Sequence, residues 1–233
     1  MAKTKKLKRK TTGFDILYRV VTAVATIAMY PIFYFASFFT FEIAHTDISD
    51  LLNMFKEEGE KNLEVTYDSI SIAEFGDWSE TIRNIVGEVE FDIWSNTLFR
   101  PVIVCLILLG IVLAIGLVIL GFAIFSNKIK VITGLSAAGV ILSIAAYGSF
   151  TWYFANPLIE GRNTLASLFD VTDGIGSFVL KYLGEITILR LDSAFYATLF
   201  IMLGILLWSL SVMLVNASDE KEKAMKKAAR ERK

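Results

Sequence analysis

The chain has 233 residues, 55% of them hydrophobic and only 20% charged, with a formal net charge of −1. An ordinary soluble domain is roughly 45–50% apolar and about 25% charged, so the apolar surplus is mild on average but concentrated in place: windows 20–41, 101–127, 131–159 and 193–218 contain no Asp, Glu, Lys, Arg or His. A bilayer core about 30 Å thick needs around 20 apolar helical residues, and every window reaches that length, which excludes a soluble single-domain enzyme, a disordered chain, a collagen-like chain and a disulfide scaffold.

The expected fold is an all-α membrane protein with four transmembrane helices in a bundle, both termini cytoplasmic, and a small mixed α/β extracytoplasmic cap from two outer loops. A basic N-terminus (1–15) leads into a first span (16–41), a long outer loop (42–98), a second span (99–126), a short link (127–130), a third span (131–158), a second outer loop (159–192), a fourth span (193–217) and a basic tail (218–233). Charge sorts with this alternation: residues 1–19 carry +6, 127–130 carry +2 and 219–233 carry +3, whereas 42–100 carry −10 and 160–192 carry −2. Lys and Arg near span ends favour the cytoplasmic side, and three separate basic segments agree.

The first span is aromatic on its outer half, from Tyr30 through Phe41, and contains Pro31, which removes a backbone hydrogen bond and predicts a kink. Its apolar run exceeds a signal-peptide core and no A-x-A site follows Phe41, so it reads as an uncleaved span. In the first outer loop, Asp47 is positioned to cap a helix through Gly59. Leu63–Ile72 and the alternation Val89, Phe91, Ile93 look strand-like, and Ser79–Val86 offers a second short helix. Loops beyond about 12–15 residues are usually structured or functional.

Pro101 opens the second span, where a missing N–H is harmless. Small residues four apart, Gly110/Ala114, Gly134/Ala138 and Gly139/Ser143, suit close helix packing, and the expectation is packing of spans two and three within the chain. The second outer loop carries an apolar stretch at Thr164–Phe169, a Gly-rich turn at Asp173–Gly176 and a strand-like Glu185–Leu191. Neither outer loop holds enough apolar residues to fold alone, so the two should pack on each other. Trp94, Trp152 and Trp208 fall near the expected membrane boundaries. Asp219-Glu220-Lys221-Glu222 resembles a helix start with acids in its first turn.

The expected contacts to an anionic inner leaflet are Lys8, Arg9, Lys10, Arg19, Lys128, Lys130, Lys226 and Lys227, with a basic residue beside a span worth about 1 kcal/mol. Arg19 should snorkel to the inner headgroups. Topology alone explains these flanks, so no nucleic acid is expected. Cys105 is the single cysteine, which rules out an intrachain disulfide and favours a bacterial cytoplasmic membrane over an oxidising extracellular setting. The sequon Asn216-Ala217-Ser218 falls on the expected inside, out of reach of glycosylation.

Candidate chemistry is thin, and no enzyme, metal or cofactor is expected. Glu42, the single histidine His45, Asp47 and Asp50 cluster after the first span, but one imidazole among spaced acids reads as a solvated acidic face. A calcium loop at Asp170–Gly176 fails on spacing, with Phe169 and Val171 where ligand oxygens belong and Leu180 where the bidentate glutamate belongs. Ser136, in Gly134-Leu135-Ser136-Ala137-Ala138-Gly139, lies most of a hydrocarbon thickness from His45, whereas a nucleophile and its base must meet at about 3 Å. Cys105 has no base partner either. No P-loop or dinucleotide-binding glycine motif occurs. The spans lack the charged or His residues that ion-coupled carriers place in the membrane.

The layout resembles that of claudin-type tetraspans, with Trp78, Trp94 and Arg100 before the second span. The paired cysteines and Gly-Leu-Trp run of that family are absent, so its function is not carried over. The resulting expectation is a non-enzymatic accessory, adaptor or structural subunit that presents its acidic cap to a membrane or extracytoplasmic partner. Its contact surface would be the apolar set Phe55, Phe75, Trp78, Phe91, Ile93, Phe169 and Phe178. The alternative is a transporter or channel component with a path lined by small and hydroxyl residues.

Overall fold

The computed structural model describes residues 13–46, 63–74, 100–126, 128–160 and 185–231. Four helices are long and apolar enough to cross a membrane: α1 (Gly13–Phe35), α2 (Arg100–Phe125), α3 (Ile129–Phe150, prolonged to Glu160) and α5 (Ser193–Glu231). Their outward faces are apolar, with Val24, Leu117, Ile141 and Phe200 all exposed, as in helices that meet hydrocarbon rather than water. α1 packs on α2 and α5, α2 on α3, and α3 on α5, so each long helix has two neighbours. Tyr18, Met29, Ile119, Ile132 and Met202 are fully buried between them.

The expected first span, 16–41, is shorter in the structure. α1 stops at Phe35, and Ser37–Thr46 form strand β1. Neutrality of the window did not mean one continuous helix. Ser37-Phe38-Phe39-Thr40-Phe41 is an aromatic run suited to a strand, and β1 is central, paired antiparallel with β2 (Leu63–Ser71) and with β3 (Glu185–Leu191) in the order β2-β1-β3. A strand covered by its neighbours reads as a continuous apolar run, as a buried helix does. The strand-like readings of 63–72 and 185–191 match β2 and β3. The other expected cap elements, at 47–59, 79–86, 89–93 and 164–176, lie outside the described residues.

Two one-residue joints fasten the sheet to the helices. Ala36 links α1 to β1, and Asp192 links β3 to α5. The Asp192 backbone carbonyl accepts from the N–H groups of Phe195 and Tyr196, and its side chain accepts from Ser193 N–H (2.7 Å). The Asp192 carboxylate also accepts from the Thr40 hydroxyl on β1, and Asp192 N–H donates to Phe38 O (3.0 Å). The residue that starts α5 therefore also holds the central strand. Phe38, Phe150, Phe154, Leu158, Leu191 and Phe195 fill the space where sheet and helices meet.

α3 widens into a π-helical turn at Thr151–Ala155 before the short helix α4 (Asn156–Glu160), with Asn156 N–H reaching back to Thr151 O. Pro157 explains it: a proline has no N–H for the carbonyl four residues back, and its ring clashes with that carbonyl in a regular helix. At the other end of the chain the expected new helix start at Asp219 does not occur, because α5 runs unbroken to Glu231. No Gly or Pro interrupts residues 205–231, and the Ala, Lys and Glu that follow the apolar stretch are strong helix formers.

β2 ends in a reciprocal cap. Ser71 N–H and hydroxyl both donate to Glu74 Oε2 (3.0 and 2.8 Å), and Glu74 N–H returns a bond to Ser71 Oγ (3.3 Å). Ala73 N–H then donates to Tyr34 O near the end of α1 (3.1 Å). The Ser71 backbone N–H, followed by its hydroxyl, holds the Glu74 carboxyl below the ordinary glutamate value. A depressed folded-state value contributes stability above the unfolded-state pKa and loses it as pH falls through the folded-state one. The stability difference between wild type and Glu74→Gln should therefore be small at neutral pH, because the side chain is exposed, and should close on acidification. Melting curves across the acid range check this.

Candidate functional site: the groove between the first and last helices

The interior carries many hydroxyls, as helices that meet in lipid often do. Most are satisfied within their own helix. Thr26 donates to Thr22 O (2.7 Å), Ser136 to Ile132 O (2.8 Å), Ser143 to Gly139 O (2.9 Å) and Thr198 to Ala194 O (2.8 Å), the back-bond to the carbonyl four residues earlier. Others join helices. The Tyr18 and Ser209 hydroxyls share a bond between α1 and α5 (2.9 Å), Tyr30 donates to Leu113 O of α2 (2.8 Å), and Ser149 of α3 donates to Pro101 O (2.8 Å).

Two buried polar atoms among the described residues lack a hydrogen-bond partner, Thr22 Oγ1 and Trp208 Nε1. The Tyr18 hydroxyl, bonded to Ser209, also lies within hydrogen-bond reach of Thr22. Both residues line one groove of about 300 Å³, where Val21, Thr22 and Ala25 of α1 face Ile201, Gly204 and Trp208 of α5. Thr22 is 0% exposed. Trp208 is held from the side by Phe14, with ring centroids 6.1 Å apart. The groove wall is apolar, with both polar atoms buried beneath it, and an unmade bond at a buried group costs about 1–3 kcal/mol.

Arg19 stands beside this region. Its Nε donates to Ala123 O (2.7 Å) and its Nη2 to Ile124 O, in the last turn of α2. A cation on the last carbonyls of a helix satisfies acceptors that have no partner within it and meets the negative end of the helix dipole. Instead of only reaching for headgroups, Arg19 clasps α1 to α2. Arg19→Gln should lower stability by about 1–2 kcal/mol, and Arg19→Lys, which keeps charge but not the fork, should recover part of it. Unfolding titrations in mild detergent measure both.

The small residues divide. Gly139 and Ser143 are buried, and a Cβ at Gly139 would stand 3.1 Å from Met202 Sδ. Gly110, Ala114 and Gly134 are exposed, with nothing within 4 Å of a Cβ at either glycine, and Ala138 is half-buried. The tightest approach is at Gly116, which faces Met29 and Tyr30 of α1. Spacing could not distinguish Gly116 from the outward glycines of the same helix.

Lys128 and Lys130 are exposed, with the Lys128 ammonium 5.7 Å from the Phe122 ring centroid. Lys226 and Lys227 lie on α5. Lys8, Arg9 and Lys10, and the cap residues Phe55, Phe75, Trp78, Phe91, Ile93, Phe169 and Phe178, lie outside the described residues, as do Asp47 and Asp50. His45 is on β1 opposite Glu64, and Glu42 is opposite Tyr67. Among the described residues no group of three or more His, Cys, Asp or Glu is placed to hold a metal ion. The sequence placed Thr22 in the first span and Trp208 near a boundary, but nothing in it showed that the two line one groove. No protein-family model matches the chain, and no curated protein is similar to it.

Proposed function

We propose that this is a non-enzymatic integral membrane protein, an accessory, adaptor or structural subunit that holds an extracytoplasmic platform for a partner. In this reading both termini are in the cytoplasm of a bacterial cell and the sheet lies outside, on the strength of the three basic segments. The observation that carries the reading is the pair of one-residue joints at Ala36 and Asp192. With them, segments from both outer loops pair on β1, which continues from α1, so a load on the sheet passes directly to two spans. The centre between the helices supports the same reading. It is occupied by Met29, Ile119, Ile132 and Met202, all 0% exposed, and by hydroxyls turned onto their own backbones, which suits a scaffold better than a conducting path.

Affinity isolation of the full chain in mild detergent tests this. The expected result is a stoichiometric protein partner whose recovery falls when Phe75, Trp78, Phe91, Phe169 and Phe178 are replaced by serine, with no solute flux from the chain alone in liposomes. Flux by the chain alone, abolished by Gly139→Leu, would instead establish the transporter or channel reading.

A further inference from the structure

Exposed aromatic residues collect at one height on three of the four long helices. α1 and α5 end together on the side of the sheet: Asp192 N–H donates to Phe38 O (3.0 Å), and the Ser193 hydroxyl donates to Ser37 O (3.3 Å). Tyr34 lies in the last turn of α1 and Tyr196 in the first turn of α5, and both are exposed. α3 is tied to the same height, because the Tyr147 and Tyr196 side chains share a hydrogen bond and the Tyr147 ring lies 5.9 Å from that of Phe195. The exposed Trp152 indole folds back onto the next residue, Gly148, where a Cβ would stand 3.2 Å from Trp152 Cε3. Side chains on a helix lean toward its N-terminus, which on α3 brings the Trp152 ring down to the level of Tyr147 and Tyr196. Tyr153 is exposed beside it.

Trp and Tyr combine an apolar ring with one polar atom, and they gather where hydrocarbon gives way to headgroups. Distance supports that placement. Twenty residues of helix rise about 30 Å, the thickness of a bilayer core. Counted from Tyr34 that length reaches Phe14, from Gly148 it reaches Lys128, and from Tyr196 it reaches Asn216. Those positions adjoin the basic N-terminal stretch, the short link at 127–130 and the charged run that starts at Asp219. One flat slab therefore fits all three helices, with aromatic rings at one face and charge at the other. The sheet begins at Ser37, just past the aromatic face. A partner covering one helix would not account for the same residues on three.

We propose that Tyr34, Trp152, Tyr153 and Tyr196 form the contact surface for the headgroup and glycerol layer of the leaflet on the side of the sheet, and that the root of the sheet, at Ser37, Thr40 and Asp192, rests against that layer. The proposal rests on the chain being embedded in a membrane and is independent of whether its sheet binds a partner.

The test places the full chain in phosphatidylcholine vesicles with Trp152 as the one tryptophan, Trp78, Trp94 and Trp208 being replaced by phenylalanine. Phosphatidylcholine brominated near the headgroup end of its chains should quench Trp152 roughly twofold more strongly than phosphatidylcholine brominated near the chain ends. In a Cys105→Ala background, nitroxides attached at Tyr34→Cys and Tyr196→Cys should report depths within one turn of each other, about 5 Å. A nitroxide at Phe200→Cys, on an exposed position one turn further along α5, should lie deeper. If the tryptophan replacements prevent folding, a nitroxide at Trp152→Cys takes their place and should match the two tyrosine positions. Stronger quenching of Trp152 by the deep bromines, or depths at the two tyrosine positions more than two turns apart, overturns the proposal. Shielding of Trp152 from both brominated lipids and from aqueous iodide assigns the surface to a protein partner and also overturns it. Water access at Phe200→Cys equal to that at Tyr196→Cys would instead remove the membrane premise, a result separable from all of these.

Discussion

Phe150→Ala is expected to be the most damaging single truncation among the described residues, lowering stability by about 2–4 kcal/mol, below the full range for a soluble core. Phe150 is the last residue of α3 and 1% exposed. Its ring stacks on Phe39 of β1 (centroids 5.2 Å apart, 26° between planes) and leans on Phe154 of the π-helical turn (5.5 Å, 59°). One side chain therefore touches the helix, the turn and the central strand. Inside a bilayer much of the usual transfer term disappears, because lipid tails are as apolar as the protein interior. The lost dispersion contacts and the cavity remain, and here they fall where the sheet is fastened to the spans. The control is Ile141→Ala on the same helix, 66% exposed, which should change stability little. Because Phe39 and Phe150 share a contact, their double variant should lose less than the sum of the singles, by about 0.5–1.5 kcal/mol. Denaturant titrations in detergent, followed by circular dichroism, measure all four proteins. A loss below about 1 kcal/mol for Phe150→Ala would mean that the joint collapses around the gap.

The four spans were legible because a membrane imposes one plain demand, about 20 apolar residues without charge. Strands β2 and β3 were legible from aromatic and β-branched runs with approximate alternation in Leu63–Ile72 and Glu185–Leu191. The end of the first span was not. Phe35 and Phe38 belong to equally neutral sequence, and the change from helix to strand is set by pairing with segments far along the chain, Ser69–Ser71 and Leu189–Leu191. The continuous α5 was missed for the converse reason. Acids at 219–222 carry a local start signal, but a helix already in progress with no breaker continues through it. Side-chain partners across helices are the least legible. Arg19 reads as a residue that reaches for headgroups, and only the position of the α2 end gives it Ala123 and Ile124 to bind. Thr22 and Trp208 are 186 positions apart, and no local pattern marks which hydroxyl on a helix goes without its back-bond. The candidate groove was thus present in the sequence as parts and absent as a site.

The same limit makes glycine substitutions on α2 an informative comparison, and Gly116→Leu is the second large effect expected. A Cβ at Gly116 would lie 2.5 Å from Met29 Cε and 2.9 Å from the Tyr30 hydroxyl. The methionine end can swing aside. The tyrosine cannot without breaking its bond to Leu113 O, which would leave a phenol unpaired between helices. Gly116→Ala should therefore show a modest loss, and leucine, with three further carbons directed at α1, should lose about 3 kcal/mol through forced separation of α1 and α2. Gly110→Leu, two turns earlier on an open face, should be neutral or slightly stabilising, since leaving glycine in a helix interior gains roughly 0.5–1 kcal/mol. Spacing alone would rank the two alike, and the α1–α2 packing separates them. Equal losses at both positions in unfolding titrations would mean that something covers the outward face of α2 in the membrane, and equal tolerance would mean that α1 does not approach α2 at Gly116.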